Sequence, residues 1–338
     1  MTTFRVGITR DILDADGRPV YDLDALEQTP GVETALVADV EELAPRDVAG
    51  FDALVLFKPR VSAATLAGSE RLVLVARLGV GVDNVDVEAC TAGGVLVTTT
   101  PDGVRRPMAA GALAFLLALA HRLPEMDRHV RAGGWERFAH VGAGLDGRTL
   151  GIIGLGNIGR DLVRLVAPFE IDVQAADPYA VEPVEGVELV SLDQLLATSD
   201  FVVVAAPHTP ETRHLLDAKR LAQLRPTAYL VNISRGPIVD QRALTELLAA
   251  RRIAGAALDV FEQEPLEADD PLLSLDNVIL APHAVGLTDE MFRRSSDSVV
   301  RSVLAVVRGE IPEFVLDRRA LEHPRARERL GPSVDAGR

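Results

Sequence analysis

The stretch LGIIGLGNIGRDLVRLVAPF, residues 150–169, reads as a buried strand, a turn punctuated by glycines and an amphipathic helix. Within it Gly154, Gly156 and Gly159 form G-x-G-x-x-G, with Asn157 and Ile158 between the last two. In that pattern the first glycine allows a tight turn and the second lets backbone approach a pyrophosphate. The third lets the helix pack on the sheet. Unpaired N–H groups at a helix start, with the partial positive charge of the helix dipole, suit phosphate oxygens. The pattern alone is weak; what strengthens it is a strand before, a helix after and an acid beyond. The next strand, DVQAAD, ends at Asp177, 18 residues after Gly159. A carboxylate there accepts both hydroxyl hydrogens of an adenine ribose and repels a 2′-phosphate. The following PYAVEPVE offers no arginine to compensate. The expected cofactor is NAD rather than NADP.

Outward from this loop, short apolar runs alternate with helical stretches. Strands are expected at 4–9, 53–57, 72–77, 95–99, 150–155, 172–177, 201–206, 228–233, 255–260 and 278–282. Near-continuous apolar strands between helices mean parallel sheets covered on both faces, and there are enough strands for two. TTTPDGVRRP (98–107) reads as one domain crossing, and VGLTDEMF (285–292) as the second. The expected domains are 1–102 with 288–320, and 103–287. The tail 321–338, which shows no apolar face, is expected to fray.

The chain has 338 residues, 48% hydrophobic and 25% charged, and a formal charge of -15. That balance argues against nucleic acid and against anionic membrane surfaces. The longest apolar run, AAGALAFLLALA at 109–120, is too short to cross a bilayer and reads as an internal helix. The first residues lack a signal-peptide core. One cysteine, Cys90, allows no internal disulfide and fits a reducing compartment. A cytoplasmic protein is expected, with no bound metal.

Three side chains follow predicted strand ends in the same half as the glycine loop: Arg235, Glu264 and His283. Ligands of open parallel sheets sit beyond those ends. Each residue also has a plainer reading. Arg235 could pair with Asp240, Glu264 could belong to a solvated acidic loop, and His283 could be a core histidine. Their joint placement beside a dinucleotide loop favours chemistry. Hydride transfer to a carbonyl needs a proton donor, and a histidine partnered by a carboxylate supplies one near neutral pH. It also needs a cation for the acid group, and the arginine fork matches a carboxylate bidentately. His208 ends another strand and ranks below His283. Trp135 reads as packing for the hinge.

RLGVGVDNVD, GLGNIGR, HTPETRHLL, NISRGPIVD, GAALDVFEQEPL and APHAVG, in this order between about residues 50 and 315, resemble the D-2-hydroxyacid dehydrogenases. The resemblance implies an α/β fold of two Rossmann/flavodoxin-like doubly wound parallel-sheet domains, the NAD-binding domain inserted in the substrate-binding domain. It further implies closure over a cleft, a homodimer, and interconversion of a D-2-hydroxy acid and its 2-oxo acid. Arg235 would bind the substrate carboxylate, with backbone around Val80 and Gly81. His283 would be the acid/base, Glu264 its partner, and Asp259 a contact at the nicotinamide end. Thr100, Asn157, Ile158 and Ile233 fall at cofactor positions. The departure is at 104–107, where Val-Arg-Arg-Pro replaces the small polar stretch of many relatives. Arg105 or Arg106 either docks the hinge on an acidic surface or recognises a second anionic group of the substrate. Two rivals are a phosphite/phosphonate-type dehydrogenase on the same fold and a non-catalytic NAD(H)-sensing protein that binds partners. Formate enzymes resemble the chain less, since they carry glutamine where Glu264 stands.

Overall fold

The computed structural model describes residues 3–330 apart from 181 and 183. The chain divides into two compact units, 1–104 with 288–338, and 105–287. The first unit contains β1 (Phe4–Ile8), β2 (Val32–Leu36), β3 (Ala53–Leu56), β4 (Leu74–Arg77) and β5 (Leu96–Thr98). They form one all-parallel sheet in the order β2-β1-β3-β4-β5. That is the flavodoxin-like order of a doubly wound fold. Alternate residues of β3 serve two cores: Ala53 and Val55 pack with the helix Asp289–Val307 on one face, and Leu54 and Leu56 with Val48, Val61 and Cys90 on the other. Side chains that alternate across a strand require this, and it explains the continuous apolar reading.

The second unit contains β6 (Thr149–Ile153), β7 (Asp172–Ala176), β8 (Val187–Leu189), β9 (Phe201–Val204), β10 (Tyr229–Asn232), β11 (Gly255–Leu258) and β12 (Val278–Leu280). Their order is β12-β11-β10-β9-β6-β7-β8, again all parallel. The order reverses between β6 and β9, where Ile153 lies opposite Val204. Phe201 and Val203 face the helix Asn157–Val166, and Val202 and Val204 face the helices Leu192–Thr198 and Gln241–Ala249.

Four expectations need correcting. β2 and β8 were absent from the sequence reading. Both are sheet edges, and only Val32 of β2 and no residue of β8 is fully buried, so neither shows an apolar run. The helix expected over 109–120 begins at Pro101 and continues through Pro107 to Ala120, long and apolar enough by length and composition to cross a membrane. Its stripe of Ala109, Ala112, Leu116 and Leu119 packs instead with Leu150, Ile152 and Val203. Residues 321–330 of the expected frayed tail are folded, since the helix Pro324–Leu330 buries Ala326 and lays the Arg329 guanidinium over the Phe4 ring, 4.6 Å from its centroid. Arginine stems cover apolar surface, which is why no apolar face was visible; residues 331–338 lie outside the described ones. Trp135, read as hinge packing, is 70% exposed.

Candidate active site

The glycine loop occupies the point where the strand order of the second sheet reverses. Gly154 has φ +94°, and a Cβ there would lie 2.6 Å from the backbone of Ala206, which follows β9. Only glycine fits both the angle and the approach. The helix Asn157–Val166 then starts with Gly156 as its cap residue, and no side chain caps it. A Cβ on Gly156 would meet nothing within 4 Å. Asn157, Ile158 and Gly159 form the first turn, whose N–H groups have no intrahelical acceptor and no side-chain cap, a setting suited to an anion. Asp177 accepts from the Leu155 N–H at 2.7 Å through one carboxylate oxygen and from the Tyr179 N–H at 2.8 Å through the other. Each oxygen keeps acceptor capacity for a ribose hydroxyl. The loop, the uncapped helix and the acid fit an NAD molecule.

Further along the same sheet edge, Asn232 ends β10 and is buried. Its amide donates to the Arg235 carbonyl at 3.0 Å and accepts from the Ser234 N–H at 3.1 Å. The Ser234 hydroxyl donates to the Ala206 carbonyl, tying this loop to the glycine loop's neighbour. Ile233 is buried in the core beneath. Arg235 is half-buried, and its guanidinium donates to the Ser234 carbonyl at 2.8 Å. Gly236 lies so close to the next strand end that a Cβ would come within 1.9 Å of the Phe261 carbonyl group. Asp240, weighed as a partner for Arg235, caps the helix Gln241–Ala249 by accepting from the Ala243 N–H at 2.9 Å.

β11 leads into Asp259, which is 1% exposed. One of its carboxylate oxygens accepts from Ala284 N–H (2.8 Å) and Val285 N–H (3.0 Å), and its carbonyl accepts from His283 N–H (2.8 Å). Burial pushes its carboxyl upward, and these N–H groups oppose that rise. Asp259 thus pins the turn in which His283 adopts φ +54°. His283 Nδ1 lies 2.8 Å from one oxygen of Glu264, and the other oxygen accepts from the Phe261 N–H at 3.0 Å. Burial alone would raise the Glu264 carboxyl. The hydrogen bonds from His283 and Phe261, with the charge of Arg235, outweigh that and hold it below its ordinary value. Both side chains of the pair are partly exposed, 45% and 36%. Such a pair contributes at most about 1 kcal/mol to stability; its consequence is orientation. With Nδ1 turned to the carboxylate, Nε2 is left for a reacting group.

Val80, Gly81 and Thr100 belong to the first unit. The Thr100 hydroxyl is buried, accepting from the Gly79 N–H at 2.7 Å and bonding Ser295 at 3.3 Å, so it fixes the loop that presents Val80 and Gly81. Of the two arginines of the departing stretch, Arg106 docks: its Nε lies 3.1 Å from the buried carboxylate of Asp161. Arg105 Nε is buried without a hydrogen-bond partner among the described residues. Sequence reasoning passed over Asn232. Its signal was an asparagine closing a strand two residues before a serine, the pattern of an Asx turn.

The family described as D-isomer specific 2-hydroxyacid dehydrogenase, NAD binding domain, matches residues 113–285. A glyoxylate reductase of Korarchaeum cryptofilum is 38% identical over 330 residues, covering 94% of this chain and 97% of the relative. A D-3-phosphoglycerate dehydrogenase of Methanocaldococcus jannaschii is 37% identical over 297 residues, covering 86% of this chain but only 56% of its own length. The crystal structure of the Aquifex aeolicus D-lactate dehydrogenase, complexed with NAD and lactic acid, superposes with a TM-score of 0.79 at 27% identity. It covers 97% of this chain and 100% of that one.

Proposed function

The chain belongs to the D-isomer specific 2-hydroxyacid dehydrogenase family, an NAD-dependent enzyme interconverting 2-hydroxy and 2-oxo acids, and on that premise we propose that Arg235, Glu264 and His283 are its catalytic residues. The observation that carries the assignment is the His283–Glu264 contact at 2.8 Å on the sheet edge that also presents Arg235. NAD, when bound, supplies or accepts the hydride at the substrate's second carbon. Arg235 holds the substrate carboxylate bidentately and polarises the adjacent carbonyl. His283 Nε2 gives its proton to the carbonyl oxygen in reduction and takes it back in oxidation. Glu264, 2.8 Å from Nδ1, fixes the ring so that Nε2 is the nitrogen presented to the substrate. Gly154, Gly156, Asn157, Ile158 and Gly159 cradle the pyrophosphate, and Asp177 binds the adenine ribose. Asp259 places His283 toward the nicotinamide end. By resemblance to the family, backbone around Val80 and Gly81 is assigned to the substrate carboxylate, and Thr100 and Ile233 to the cofactor.

The substrate proposed first is a short 2-oxo acid such as glyoxylate, supported by the reductase relative that the chain covers almost completely. Following NADH oxidation against glyoxylate, hydroxypyruvate and phosphonopyruvate tests it. Turnover of glyoxylate supports the reading. NAD reduction by phosphite would select the rival chemistry, and tight NADH binding without turnover on any 2-oxo acid would select the non-catalytic one. A preference for dianionic substrates is supported by the unpartnered Nε of Arg105. It requires that Arg105→Ala abolish the advantage of phosphonopyruvate over pyruvate. A homodimer is proposed from the exposed Trp135, Phe138 and Val141 of one short stretch, at 70%, 92% and 70% exposure. Sedimentation of Phe138→Asp tests that. A reducing, cytoplasmic setting suits Cys90, whose burial pushes its thiol up to about 12.

A further inference from the structure

A second histidine–glutamate pair stands two residues from the first. One of the Glu262 carboxylate oxygens accepts from His214 Nε2 at 3.0 Å and from the Gln241 N–H at 3.0 Å. The Glu262 N–H in turn donates to the Gln241 side-chain carbonyl at 2.9 Å, closing a reciprocal clasp between the Glu264 loop and the start of the helix Gln241–Ala249. The backbone of His214 engages the third partner. Its N–H donates to the Pro237 carbonyl at 2.8 Å, and two residues on the Leu216 N–H donates to the Ile238 carbonyl at 3.0 Å. Pro237 and Ile238 directly follow Arg235 and Gly236, whose backbone abuts Phe261 and Glu262. One residue, through its backbone on one side and its imidazole on the other, therefore ties the segment bearing Arg235 to the segment bearing Glu264. His214 also sits at φ +48°, a left-handed conformation that a β-carbon residue adopts at a cost.

We propose that His214 is a positioning residue for the reaction: through Glu262 it sets the spacing between Arg235, which grips the acid, and Glu264, which orients His283. This rests on the dehydrogenase reading above. The link has a chemical logic. A carboxylate sharing two N–H donors on one oxygen is fixed in place, and removing one donor lets the Glu262 loop shift relative to Arg235. Sub-ångström changes of that kind separate a productive substrate pose from an unproductive one. Its role runs through Glu262 and the Arg235 segment, so its effect should appear in the oxo-acid parameters and not in NADH affinity.

The test is steady-state reduction of glyoxylate by wild type, His283→Ala, His214→Ala, His214→Gln, Glu262→Ala and the double variant His214→Ala/Glu262→Ala, with circular dichroism confirming folding. His214→Ala is expected to lower kcat/KM for the oxo acid on the order of 10- to 100-fold, with the NADH dissociation constant unchanged within about twofold. His214→Gln, whose amide can donate to Glu262 from nearly the same place, should recover most of that loss, which a merely packing role would not. The double variant should lose no more than Glu262→Ala alone, because both act through one contact. Should His214→Ala fail to fold, the comparison of Glu262→Ala with the double variant built on His214→Gln carries the same test. Equal kcat/KM for wild type and His214→Ala, in an enzyme whose His283→Ala variant is inactive, overturns the positioning role and leaves the dehydrogenase reading standing. Failure of wild type to turn over any 2-oxo acid overturns that reading and the positioning role with it.

Discussion

The two sheets reverse strand order in the same way and treat the reversal oppositely. In the first, β1 and β3 meet at the switch, and the chain leaving β1 runs through Thr9 into a three-residue 3-10 turn, Arg10–Ile12. The buried Thr9 hydroxyl accepts from the Phe57 N–H at 3.3 Å, and Asp11 accepts from the Lys58 N–H at 2.7 Å. Side chains there satisfy the neighbouring backbone donors from within. At the switch of the second sheet the chain leaving β6, Gly154-Leu155-Gly156, offers no hydrogen-bonding side chain. Gly154 packs backbone on the backbone of Ala206, and a ten-residue helix begins uncapped. Its first N–H groups are left for something else. Two doubly wound sheets thus differ in function because a few residues at one edge either close or expose backbone donors; the architecture alone decides neither.

Replacing His283 with alanine tests the chemistry at the exposed edge most severely. The turnover number should fall on the order of 100- to 10,000-fold, while NADH binding, followed by fluorescence titration, should stay near wild type. Gly154→Ala contrasts with Gly17→Ala in the first unit, where φ is +77° and a Cβ would meet nothing within 4 Å. The first should raise the NADH dissociation constant at least about tenfold or abolish folding, since strain and a backbone collision combine. The second should cost about 1–2 kcal/mol of unfolding free energy in a urea titration, with NADH affinity unchanged. Similar losses of affinity in both would erase the contrast. Asp177→Ala removes two hydrogen-bond acceptors and a repelling charge, so the NADH-over-NADPH preference should shrink about 10- to 100-fold.

The smallest effect concerns pH. Glu264 is held below its ordinary value when folded, so its contribution to stability is present above its unfolded value and lost as pH falls through the lowered folded value. The melting-temperature gap between wild type and Glu264→Gln should be constant at neutral pH and close only on the acid side. A gap that closes on the alkaline side would contradict the sign. Because the pair is partly exposed, the gap is expected to be a few degrees at most.

What the sequence disclosed follows the same division between centre and edge. Central strands such as FVVV and YLVN are buried on both faces and announce themselves as apolar runs. The edge strand VETAL buries only Val32, and its other apolar residues, Ala35 and Leu36, are adjacent and so fit no alternation. Glycine spacing and the strand-end acid were legible because their chemistry constrains residue type directly. The Arg235 loop was legible as a charge after a strand, but its scaffold of Asn232, Ser234 and Gly236 was not. Those roles arise from contacts between segments distant in sequence. Arg106 shows the limit in the other direction. Its charge left docking and ligand recognition both open, and only the fold, by setting it against the buried Asp161, separates them.

A crystal structure of the complex with NADH and oxamate, a non-reacting mimic of a 2-oxo acid, bears most directly on the proposed chemistry. The oxamate carboxylate is expected on the Arg235 guanidinium and its carbonyl oxygen about 3 Å from His283 Nε2, with Glu264 still on Nδ1. A carbonyl oxygen out of reach of that nitrogen, or a carboxylate bound elsewhere than Arg235, would contradict it.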